Sequence, residues 1–205
     1  MDSFTLIRQA VLFAHAVTFA IALAAVLRED MALVKAGRID VPRLAAAART
    51  LTSALAVLWL TGLSLVALDA GLDARPLVAD PKLAAKLIVV SALTANGLAL
   101  HALAFPMLRR PRTQDRSGLV VPVVLGAIST ASWLYASFIG VSRQIAPVMS
   151  LPDFMALYGV LLIGAVAVAL AVVLPRLECL ATAGRLRVAG AASCRPIEAV
   201  ADRPR

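Results

Sequence analysis

The chain has 205 residues, of which 61% are hydrophobic and only 16% charged, and its mean hydropathy is +0.88. A soluble globular chain carries about 45–50% apolar and about 25% charged residues. This one has too little polar surface to enclose itself and reads as an all-α, polytopic membrane helix bundle. Its net charge of +8 collects in linkers and tail, which points to membrane topology and anionic lipid rather than to nucleic acid.

Five apolar stretches, about 4–27, 44–68, 83–107, 118–140 and 153–175, reach the roughly 20 residues that a helix needs to cross a bilayer. Alternation of period two is missing, which argues against a β-barrel. In the first stretch Arg8, His15, Ala22 and Glu29 recur at intervals of seven, nearly on one helix face, with Thr18 beside them. Asp2 precedes any basic residue and no small-x-small cleavage site precedes Arg28-Glu29-Asp30. The stretch is therefore expected to be a helix of the mature protein, not a signal peptide. His15 falls about 15 Å from the outer edge, near the midplane. It reads as a haem ligand, a proton carrier or a substrate contact, or else as a neutral imidazole hydrogen-bonded to another helix.

The third stretch carries Lys82, Lys86, Thr94, Asn96-Gly97, His101 and Phe105-Pro106. Lys86, Val90, Thr94, Gly97 and His101 share one broad face, and Lys86 can snorkel to headgroups. Asn96 points to a different sector from His101. In the fourth stretch Trp133 and Tyr135 approach the outer interface, as aromatic belts do. Ser129 and Thr130 fall near the depth of His15 and Asn96, so these four form a candidate midplane substrate or proton site. Acidic residues lie almost entirely at predicted helix ends or in linkers, so paired intramembrane carboxylates are not expected.

The tail 176–205 is rich in Ala, Gly, Arg and Pro and reads as a disordered basic segment. Its two cysteines, Cys179 and Cys194, read as free thiols, and no CxxC or Cys/His metal spacing is present. Segments 28–43 and 108–117 and the tail are basic, whereas 69–82 and 141–152 are not. The positive-inside rule then sets the N-terminus outside and the C-terminus inside. The Ala- and Arg-rich composition suggests a bacterial protein and hence the inner membrane.

Two histidines on different helices are a common way to hold b-type haem. Here their depths differ by roughly 10 Å, which disfavours one haem shared by both within a subunit. Single-His ligation, two separate sites or a site across a homodimer stay open. Both histidines sit in the pattern Leu-x-x-His-Ala-x-x-Phe, at Leu12–Phe19 and Leu98–Phe105.

His15, the run Leu58-Trp59-Leu60-Thr61-Gly62-Leu63 and the run Pro81-Lys82-Leu83-Ala84-Ala85-Lys86 carry a resemblance. Over its first three helices the chain resembles the haem-associated membrane protoporphyrinogen oxidase family and the copper-resistance D family. As a whole it resembles uncharacterised five-helix bacterial membrane proteins. The oxidase resemblance implies a b-type haem and functional roles for His15 and Lys86. The expected function is thus a haem-associated or redox role using His15, His101 and Lys86. A small-molecule permease or exporter, or a non-catalytic assembly subunit, is the alternative.

Overall fold

The computed structural model describes residues 2–35, 41–70, 79–109, 116–180 and 182. Every extended element among them is helical. Helix α1 is Ser3–Lys35 and α2 is Val41–Ala70. Helix α3 runs from Pro81–Ala99 through a π-turn at Leu100–Ala104 into Phe105–Arg109. Helix α4 is Arg116–Val141; a 3₁₀ turn, Ala146–Val148, leads to α5, which is Leu151–Val168 followed by a π-turn at Ala169–Val173 and further helix to residue 180. Each of the five is long and apolar enough to cross a membrane, and only a helix or a closed barrel satisfies its own backbone there. Large apolar side chains such as Phe13, Leu60 and Ile163 lie about 70% exposed on the bundle surface. Lipid is the solvent that tolerates such a surface, and the chain is a multi-pass membrane protein.

The helices outrun the apolar stretches because their polar ends are used. Asp80 caps α3, accepting the N–H groups of Lys82 at 2.9 Å and Leu83 at 3.3 Å. At the start of α5 the Asp153 carboxylate accepts both the N–H and the hydroxyl of Ser150. These are ordinary N-terminal caps. The largest extension is in α1, expected to end near residue 27 and helical to Lys35, for reasons given by Glu29 and Asp30 below. The predicted tail is likewise helical to residue 180, with Cys179 a free, exposed thiol. Cys194 and the rest of the tail from 183 lie outside the described residues.

The interval-of-seven face of α1 forms its seam with α2. Arg8 pairs with Asp69, His15 with Thr61 and Glu29 with Arg43, while Ala22 between them is fully buried. The partner numbers fall as the α1 numbers rise, so the two helices are antiparallel. A seven-residue repeat keeps one seam facing its partner over this length. The two ends of the bundle can be named from this seam, the Asp69 end and the Arg43 end.

Helices α3, α4 and α5 pack through a second core of Ala85, Val89, Tyr135, Ile139, Phe154 and Tyr158. The Tyr135 and Tyr158 rings stack at 5.0 Å, and Tyr158 also shares a 2.7 Å hydrogen bond with Ser132. Trp133 and Tyr135, expected at the interface, are 2% and 1% exposed. They are core residues: the Tyr135 hydroxyl donates to the Phe154 carbonyl, and the Trp133 ring packs on Phe19. Both π-turns end two residues before a proline, Pro106 and Pro175. Proline offers no N–H to the preceding turn, and a π-turn absorbs that break within the helix.

Candidate functional site

Three threonines show how the polar side chains are organised. Trp59 Nε1 donates to Thr94 Oγ1 at 3.0 Å, and Thr94 in turn donates to the Val90 carbonyl at 2.8 Å. The roles there are forced, since an indole can only donate. Thr61 repeats the pattern, donating to the Val57 carbonyl at 2.8 Å while its oxygen lies 2.7 Å from His15 Nδ1. With the Thr61 proton assigned to Val57, Thr61 accepts from His15, and the assigned tautomer carries its proton on Nδ1. In that tautomer Nε2 is a lone pair, and among the described residues no hydrogen bond occupies it. At Gly62 α2 packs along the ring edge, where a Cβ would lie 3.6 Å from His15 Cε1, an ordinary van der Waals contact.

His101 has the opposite arrangement. Thr52 donates to the Ala48 carbonyl at 2.9 Å, and its oxygen lies 3.1 Å from His101 Nε2. The same assignment puts the His101 proton on Nε2, which is then committed to α2, and the ring lies 5.3 Å from the Phe105 ring. Thr61 and Thr52 are nine residues apart on one helix, or about 13 Å, so the two imidazoles sit at different depths.

Lys86 is exposed and forms no ion pair among the described residues. It lies in the first turns of α3, at the Asp69 end. His15 and His101 stand apart from each other.

The expected midplane layer is divided between partners. His15 turns to α2. Asn96 turns to α4, its Nδ2 donating to the Leu125 carbonyl at 3.0 Å. Thr130 donates to Asp30 Oδ2 at 2.7 Å and lies 3.2 Å from the Gly126 carbonyl. The Ser129 side chain makes no hydrogen bond to a described residue.

Glu29 and Asp30, expected in a linker, lie in the last turns of α1. Glu29 is 7% exposed and is held by Arg28 at 3.2 Å and Arg43 at 3.0 Å. Asp30 beside it reaches α4. Their charges made them look like a linker, and their partners lie up to 100 residues away in sequence. Thr61, Thr52 and Asp30 are the site residues that sequence reasoning missed. The seven-residue spacing ending at Glu29 was the available signal for its burial. Among the described residues no group of three His, Cys, Asp or Glu side chains lies together. Comparison with known proteins finds no matching family model, no matching curated protein and no matching solved structure. Function is therefore argued from these side chains.

Proposed function

We propose that this protein is a haem-associated redox protein of the bacterial inner membrane, in which His15 would hold the haem iron. The observation that supports this is the 2.7 Å contact between His15 Nδ1 and Thr61, which, with Nδ1–H donating, frees Nε2. Histidines that bind metal almost always donate their other ring N–H to a fixed acceptor, which sets the tautomer and raises ligand basicity. The donor set fits: one oriented imidazole, and a Lys86 ammonium that pairs with no described carboxylate and is able to meet one. His101 fits less well, because its Nε2–H is spent on Thr52. Bound haem would supply one-electron transfer in the membrane. The chain's part is to fix the His15 ring, hold Nε2 unprotonated and present a cation at the Asp69 end.

In this reading the Asp69 end faces outward and the Arg43 end faces the cytoplasm, as the basic segments 28–43 and 108–117 require. The test is pyridine haemochrome quantification of full-length protein purified from haem-replete cells. Near-stoichiometric haem, lost in His15→Ala and retained in His101→Ala, is the expected result. Haem-free wild-type protein, or equal retention in both variants, would remove the assignment.

A further inference from the structure

One apolar layer of the bundle is built by Ala22 and Val26 of α1, Ala54 and Leu58 of α2, Leu93 of α3 and Trp133 of α4. Residues three or four apart on a helix share a face. One turn toward the Arg43 end from Val26 is Asp30; from Leu93 it is Asn96; from Trp133 it is Thr130. Three helices therefore set a polar side chain into the core at one depth, directly beneath an apolar layer. The contacts agree with this placement, since Thr130 bonds Asp30, and Asn96 and Thr130 reach the consecutive carbonyls of Leu125 and Gly126.

This layer is short of donors. Asn96 is 7% exposed, and its Oδ1 is a buried acceptor with no partner. The one Thr130 proton reaches a single Asp30 oxygen. Among the described residues no cation pairs with Asp30. Its charged surroundings are Glu29, next along α1, and through Glu29 the Arg28 and Arg43 guanidinium groups. A cleft of about 360 Å³ lined by Arg28, Glu29, Arg43, Ala46, Ala47 and Thr50 begins one turn beyond Ala54, on the Arg43 side of the layer.

We propose that Asp30, Thr130 and Asn96 form an oxygen-lined site for a small monovalent cation, either sodium or a proton carried as hydronium, reached from the Arg43 end. Hard cations take carboxylate, hydroxyl, amide and backbone oxygens, and half-buried membrane sites for coupling ions use the same donors. One carboxylate balances one positive charge, whereas a divalent ion would leave a net charge in the core. An anion would meet Asp30 and Glu29. The site is separate from His15 and does not depend on haem.

The test is thermal unfolding of the full-length protein in detergent. Sodium chloride is titrated against choline chloride at constant ionic strength, and a second series varies pH without sodium. A ligand bound only by the folded state raises Tm as its concentration rises. The expected result is a wild-type Tm that rises with sodium or, if hydronium is the ligand, with acidification, and that loses this rise in Asp30→Asn. Thr130→Val should raise the sodium midpoint about tenfold or more, since one of the three side-chain oxygen ligands of the site is removed. If Asp30→Asn does not fold, Thr130→Val and Asn96→Ala, which keep the carboxylate, decide the matter. No dependence on either ion, leaving a buried water as the partner of Asn96, overturns the proposal. So does a dependence that is the same in wild type and variants.

Discussion

His15 and His101 sit in the same eight-residue pattern and both point at a threonine of α2, yet they leave opposite nitrogens free. Thr61 meets Nδ1 of His15, whereas Thr52 meets Nε2 of His101. The i+4 phenylalanines differ as well. Phe19 packs on Trp133 at 5.6 Å, while Phe105 packs on the His101 ring itself. His15 lies in regular helix and His101 in a π-turn forced two residues before Pro106. Equal sequence context therefore does not give equal chemistry. The nitrogen that remains available depends on the partner helix and on local helix geometry, and neither is written in the eight residues.

The sharpest way to break this comparison is to remove each ring. His15→Ala should abolish the haem signal and His101→Ala should leave it, as read by reduced-minus-oxidised absorption. Next in size is the acceptor. Thr61→Val keeps the shape but takes away the partner of Nδ1–H, and should weaken haem retention about 10- to 100-fold, as outer-shell partners of metal ligands do. Thr52→Val should leave haem retention unchanged. Both are measured by haem loss to a competing acceptor protein.

The remaining predictions concern stability. Ala22 is fully buried where α1 meets its neighbours, and Ala22→Leu should cost about 1–3 kcal/mol through overpacking. Ala16→Leu, at an exposed position of the same helix, should be silent by comparison. Between those two, His101→Ala loses one neutral hydrogen bond and should cost about 1 kcal/mol. Reversible unfolding in mixed micelles would rank the three.

Much of the fold was legible because lipid imposes a simple rule. Five apolar runs gave five helices, and the spacing of Arg8, His15, Ala22 and Glu29 gave the face of α1 that meets α2. Depth counted at 1.5 Å per residue placed Asn96 and Thr130 near one level. It misplaced His15, which lies fifteen residues before Asp30 on α1, about 22 Å from that layer along the helix. There it meets Thr61 of α2. Asp30 took its place in the layer, from a segment that looked like a linker. Charge alone gave no sign that Glu29 would find Arg43, or that Asp30 would find Thr130. Trp133 and Tyr135 were misplaced for the same reason: an aromatic near a helix end fits an interface until a neighbouring helix covers it.

The opposition between the two imidazoles can be observed directly, because the chain contains only two histidines. Protein labelled with 15N at histidine alone, prepared without haem, gives two sets of ring nitrogen resonances, and His101→Ala assigns them. The account predicts one ring protonated at Nδ1, belonging to His15, and one protonated at Nε2, belonging to His101. Two rings both protonated at Nε2 would contradict it, since His15 would then have no free Nε2 to offer a metal.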